Sequence, residues 1–193
     1  MKKIKKLTLA ITVGFALYSC SNNHAEQKNT SDKTVETISV PDSSLPVQVK
    51  NLMKFLGHWE SDATLTLEGK PYKVIYKFYG KQTANGSGLN MDEGFSHPEV
   101  GTMIGANLAG LNPYDSKIHW FSVDNMGTTH EHIGSWLTPD HLYLEHNSIQ
   151  EGKPFQEKLD LTFHDKDTWD INCFSTLDGK ETARLIGIFH HKI

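Results

Sequence analysis

Residues 155–163 read Phe-Gln-Glu-Lys-Leu-Asp-Leu-Thr-Phe, and the alternation in this stretch decides the fold. Phe155, Leu159, Leu161 and Phe163 fall on one parity; Gln156, Lys158, Asp160 and Thr162 fall on the other. Side chains of a strand point to opposite faces in turn, so this period of two marks a half-buried strand. One member of the apolar row is a carboxylate, Glu157. Such a group needs a partner or a wet cavity.

The same period runs outward in both directions. Downstream, Trp169, Ile171, Cys173 and Ser175 alternate with Asp170 and Asn172. Upstream, Tyr72, Val74, Tyr76 and Phe78 alternate with Lys73, Lys77 and Tyr79, and Ala63, Leu65 and Leu67 share a face within Trp59–Glu68. Turn signals punctuate these runs: Glu68-Gly69-Lys70-Pro71, Asn85-Gly86, Asn112-Pro113-Tyr114-Asp115, Met126-Gly127, Thr138-Pro139-Asp140, Glu151-Gly152-Lys153-Pro154, Asp165-Lys166-Asp167 and Asp178-Gly179. Gly, Pro, Asn and Asp supply the turn conformations. The segments between them number about ten, each of ordinary strand length. Many short strands joined by tight turns predict an all-β meander that closes into a barrel or folds into a sandwich.

One helix is predicted, over residues 43–56. Ser43 or Ser44 caps it, Pro46 fits the first turn, and Val49, Leu52, Met53 and Leu56 recur at helical spacing. Gly57 ends it, and such a helix closes one end of a barrel. Residues 20–42 are polar and hold no aromatic residue, so they read as a flexible tether. Before them, Lys2, Lys3, Lys5 and Lys6 lead into an apolar run from Leu7 to Leu17, then Tyr18-Ser19-Cys20. This resembles a bacterial lipoprotein signal peptide over 1–19, with Cys20 as the lipidated residue. The run is too short to span a bilayer. Three acyl chains on Cys20 would anchor the chain firmly to a membrane. Ser21, where an Asp would signal inner-membrane retention, points to the outer membrane and a domain facing the periplasm.

Composition narrows the field. The net charge is −4, and no Lys/Arg cluster lies beyond the leader, so nucleic acid is not an expected partner. With Cys20 lipidated, Cys173 is left without an intramolecular disulfide partner. Its plainest role is a small buried strand residue rather than a nucleophile. No G-x-S-x-G and no H-E-x-x-H occurs, and Asn85-Gly86-Ser87-Gly88 precedes no helix and so is no phosphate cradle. No enzymatic activity is therefore assigned.

Gly57-His58-Trp59 places G-x-W at the start of the first strand. Gly110-Leu111-Asn112-Pro113-Tyr114-Asp115 precedes a strand ending Val123-Asp124-Asn125-Met126-Gly127, and Gly152-Lys153-Pro154, Leu177-Asp178-Gly179-Lys180 and Phe189-His190-His191-Lys192 follow. That order resembles a bacterial family of domains of unknown function, DUF1579, over residues 50–193. The resemblance implies a lipocalin-like, calycin-type up-and-down barrel of antiparallel strands, here spanning 43–193, with no established activity. Two positions depart from the family pattern. Ser122 stands where the family carries Trp, with Trp120 on the same strand face, and His191 stands where it ends in Arg. If that Arg closes the barrel end against Trp59, His191 or Arg184 must replace it.

Two groups of residues are candidates for chemistry. The first is an inward polar and aromatic set: Tyr76, Trp120 and Phe163 supply contact area, while Asp124, His146, Glu157 and Arg184 supply orientation. Asp124 shares parity with Trp120, His146 with Leu142 and Leu144, and Arg184 with Ile186 and Ile188. A mostly apolar cavity with a few placed polar groups suits a small, partly apolar molecule; internal salt bridges at the barrel ends are the plainer account. The second is histidine. His130 and His132 share a strand face, and a two-residue turn at Met126-Gly127 would set His132 opposite Phe121 and diagonal to His119. Those imidazoles form a possible zinc site; a polar outer hairpin face is the alternative. His190 or His191 on the last strand is the place where such a barrel would ligate haem, although no haem motif is present. No cofactor is predicted outright. The leading expectation is a ligand-binding module. Metal- or acid–base-assisted chemistry through His130, His132 and Asp124, and a structural envelope protein, are the alternatives.

Overall fold

The computed structural model describes residues 45–192; the leader, Cys20, the segment 20–42 and the capping serines Ser43 and Ser44 lie outside the described residues. Pro46 opens helix α1 (Val47–Leu52), and its carbonyl accepts the first hydrogen bonds, from the backbone N–H groups of Val49 (3.0 Å) and Lys50 (3.1 Å). The helix then tightens into a 3-10 turn, Met53–Phe55, a common way for a helix to end. Of the apolar positions spaced in the sequence, Val49 and Leu52 are buried while Met53 and Leu56 are half-buried; Phe55, outside that spacing, is buried as well.

Ten strands follow: β1 (Gly57–Leu67), β2 (Lys70–Thr83), β3 (Gly88–His97), β4 (Gly101–Asn112), β5 (Lys117–Asp124), β6 (Thr129–Thr138), β7 (His141–Gln150), β8 (Lys153–Phe163), β9 (Thr168–Leu177) and β10 (Lys180–Lys192). Each pairs antiparallel with the next, and β1 pairs with β10, so the sheet closes on itself. The predicted up-and-down barrel is the fold. Three hairpins turn in two residues, Glu68-Gly69, Glu151-Gly152 and Asp178-Gly179, with φ positive at both positions. That conformation matches the twist of the flanking strands, and the glycine carries its second position without strain.

The helix plugs one end. The Phe55 ring meets Phe163 at 4.8 Å, Trp169 at 5.3 Å and Trp120 at 5.7 Å between centroids, mostly edge to face. Such geometry adds to simple area burial. Gly80 of β2 lets the helix sit this close, because a Cβ there would lie 2.1 Å from the Phe55 carbonyl oxygen. Trp59, the Trp of the G-x-W motif, donates its indole N–H to the carbonyls of Phe55 and Leu56, each at 3.2 Å. Those carbonyls belong to the helix end, which needs acceptors satisfied. His191 packs on the Trp59 ring at 4.7 Å, at the same end of the barrel.

Arg184 lies away from this end; its backbone pairs with Thr66. The inward residues of β10 are Leu185, Gly187 and Phe189, while Ile186 and Ile188 are about half exposed, at 50% and 52%, on the outer wall. Arg184 shares their face and binds Glu181 and Asn172 there. The expectation that it points inward is corrected. Two isoleucines look like core residues, but the Gly187 position beside Ser61 and Ala63 is the one that packs inside.

Candidate functional site

Above the aromatic plug the barrel is hollow. A cavity of about 560 Å³ opens at the end carrying the β5–β6 and β7–β8 turns. This lies within the usual range for small-molecule sites, about 300–1,000 Å³. Its apolar surface comes from Phe78, Trp120, Leu159, Ile171, Leu185 and Phe189. Its polar surface is concentrated on β5 to β8.

The polar wall follows from register. Trp120 pairs with His132 and Ser122 with His130, so both histidines project inward from β6. Ile133 pairs with Glu145, so the next inward position sets His132 beside His146 on β7, and His146 pairs with Glu157 on β8. His132, His146 and Glu157 therefore form one inward row across three strands. His132 is 2% exposed, and its Nε2 lies 2.9 Å from Glu157 Oε1. His130 Nε2 approaches the same oxygen at 3.5 Å. His146 Nδ1 donates to the Glu131 carbonyl at 2.9 Å, which orients its ring.

These contacts set the protonation states. Burial by itself would raise Glu157, but the hydrogen bonds from His130 and His132 outweigh it and bring the carboxyl down to about 2. His130 is raised by its hydrogen bond to Glu157; His132 is lowered, chiefly by burial. The row thus holds an ionised carboxylate between a histidine inclined to carry charge and one inclined to stay neutral. One potential metal-ligand atom from each of His130, His132 and Glu157 lies within 4.8 Å of the other two.

The opposite wall adds a second couple. Tyr76 of β2 donates its hydroxyl to Glu93 Oε2 on β3 at 2.8 Å. Burial raises both groups, Tyr76 well above its ordinary value. For Glu93 the Asn107 amide and the Tyr76 hydroxyl pull the other way without cancelling the effect. Between the walls, Ser122 donates to Asn107 Oδ1 at 2.5 Å, the two residues facing each other across β4 and β5. Cys173 lines the cavity from β9 as a free cysteine, its thiol pushed well up by burial.

Of the ligand-binding set read from sequence, Tyr76, Trp120, Asp124, His146 and Glu157 line this cavity. Asp124 does so at the rim, where its carboxylate is taken up by the turn: Oδ1 accepts from the N–H groups of Met126 (2.8 Å) and Thr128 (3.1 Å), and Oδ2 accepts from the Thr128 hydroxyl. Phe163 sits lower, in the plug against Phe55, and Arg184 lies on the outer wall. Neither is part of the cavity lining.

The predicted triad of His119, His130 and His132 is also corrected. Val123 pairs with Thr129, so the turn holds Asp124 to Thr128 rather than two residues. The shift of one residue moves every partner to the other face. His119 lies opposite Ile133 on the outside, bonded to Asp115 (2.9 Å) and Glu131 (2.7 Å), and Glu157 takes the third place instead. His190 is exposed on the outer wall and His191 lies at the plugged end, so neither lines the cavity. Glu93 and Asn107 were not anticipated. The alternation Leu89-x-Met91-x-Glu93-x-Phe95 carried the signal for Glu93, in the same form as the row containing Glu157.

Closed barrel, helical plug and single-ended cavity together define a lipocalin-like β-barrel. No protein-family model matches the chain, and no curated protein does. Among solved structures it is similar to an S-type phycobiliprotein lyase from Guillardia theta, with a TM-score of 0.52 and 12% identity over 76% of this chain and 93% of that one. At that identity the likeness extends to the fold.

Proposed function

We propose that this protein is a binding module that holds a small, partly apolar molecule in its barrel. The observation that carries this is the cavity itself: about 560 Å³, closed below by aromatic rings, open above, with apolar surface on one side and His146, Glu157 and the Tyr76–Glu93 couple converging from the walls. A molecule with an apolar body and one polar head satisfies both kinds of surface. The phycobiliprotein lyase of similar fold lends support for the barrel shape and none for the identity of the ligand. The motifs shared with DUF1579 favour membership of that family. The lipobox favours lipidation at Cys20 and a place on the outer membrane facing the periplasm, where the tether would leave the barrel free to meet solutes.

Native mass spectrometry of the protein released from its own membranes tests the reading, together with titration of a fluorescent apolar carboxylate followed by Trp120 quenching. The expected result is one molecule bound per chain, lost when Cys173→Trp fills the cavity. A barrel that is empty as isolated and takes up no probe overturns it. Labelling of full-length protein with palmitate, and its loss in Cys20→Ala, tests the anchor.

A further inference from the structure

We propose that His130, His132 and Glu157 form a binding site for a divalent transition-metal ion of the zinc class on the wall of the cavity. The site is formed by side chains of β6 and β8 and does not depend on what else the cavity holds.

Both imidazoles aim Nε2 at one atom, Glu157 Oε1, at 3.5 Å from His130 and 2.9 Å from His132. Two ligands of a tetrahedral ion, each about 2 Å from it, stand about 3.3 Å apart. The two distances to Glu157 bracket that value, and one ligand atom from each of the three residues lies within 4.8 Å of the others. A cation between the three groups replaces the His132 hydrogen bond and the His130 ion pair that converge on a single oxygen. It uses the lone pair of each imidazole and the charge of the carboxylate.

The surroundings of His132 point the same way. The side chain is 2% exposed and, among the described residues, Glu157 is the hydrogen-bond partner of its ring. Histidines that serve structure on this protein look different: His119 bonds through both nitrogens to Asp115 and Glu131 on the outer wall. Two imidazoles and one carboxylate suit a borderline ion such as zinc; calcium and magnesium want six or more oxygens. Three protein ligands leave one position open, and here it faces the cavity. His146 stands beside it, its ring 5.3 Å from His130 and 5.9 Å from His132, oriented by its hydrogen bond to the Glu131 carbonyl.

The test uses the full chain in detergent, stripped with a chelator and titrated with Zn²⁺ by calorimetry and with Co²⁺ by absorption. One ion per chain is expected, with the intense visible bands of tetrahedral cobalt. His130→Ala and Glu157→Gln should each weaken binding at least ~100-fold, since outer-shell changes alone cost ten- to a hundredfold. His119→Ala should leave it unchanged. No uptake by the wild-type chain overturns the proposal, whatever the variants do. So does uptake that survives Glu157→Gln, a near-isosteric change that keeps the fold. Ligand capture measured on the stripped protein separates this outcome from failure of the cavity reading.

Discussion

The two ends of the barrel are built from the same ten strands and filled by opposite rules. At the plugged end Phe55, Trp59, Phe163 and Trp169 interlock, and the one exposed-prone set of carbonyls, at the helix end, is taken by the Trp59 indole. At the open end the inward positions carry His130, His132, His146, Glu157 and Glu93. Aromatic packing like that of the first end gives stability; burying ionisable groups, as at the second, costs it. Proteins break their own packing rules mainly where function is carried. The contrast thus locates the working half of the molecule without reference to any relative.

The contrast breaks most sharply at the plug. Phe55→Ala should cost about 3–5 kcal/mol in urea unfolding, the usual loss for a buried aromatic. A loss below 1 kcal/mol would mean the helix is an ornament on a barrel that stands alone. At the rim, Asp124→Ala removes the acceptor for two backbone N–H groups and the Thr128 hydroxyl. It should cost about 1–2 kcal/mol, in the range for satisfied turn contacts. No measurable change would remove the rim from the structural half.

Glu93→Gln sharpens the comparison, because it should stabilise. Burial raises the folded-state pKa of Glu93 above its ordinary value near 4.5. Such a group favours folding below its unfolded pKa, and that contribution is lost as pH rises through the folded value. The melting temperature of Glu93→Gln relative to the parent should therefore rise between pH 4 and pH 8. A flat difference would show that Glu93 is not held at a cost. Smallest of all, Arg184→Ala on the outer wall should change stability by no more than about 0.5 kcal/mol and leave ligand capture intact. A clear loss of capture would return Arg184 to the site.

The fold was legible because strand parity is a local property. Phe155 to Phe163 and Trp169 to Ser175 each announce their inward face, and Asp-Gly and Glu-Gly pairs announce their hairpins. The site was legible only where one strand sufficed. Tyr76, His146 and Glu157 sit on rows whose other members are plainly apolar. The third member of the histidine cluster was not, because it depends on register between strands, and a turn of unexpected length at Asp124–Thr128 shifted it by one residue. Arg184 failed for a different reason: exposed isoleucines at 186 and 188 give the outer wall of β10 the composition of a core.

The seam between β1 and β10 also sets a clock. Trp59 pairs with His191, so closure joins the first strand to the last. Contacts so distant in sequence form slowly, because their loop entropy must be met before they return any energy. Leu185 and Phe189, which complete the cavity wall, belong to that last strand. On a ribosome the barrel remains an open sheet with two bare edges until β10 emerges. Its hollow interior, and whatever it holds, can exist only once β10 has joined β1.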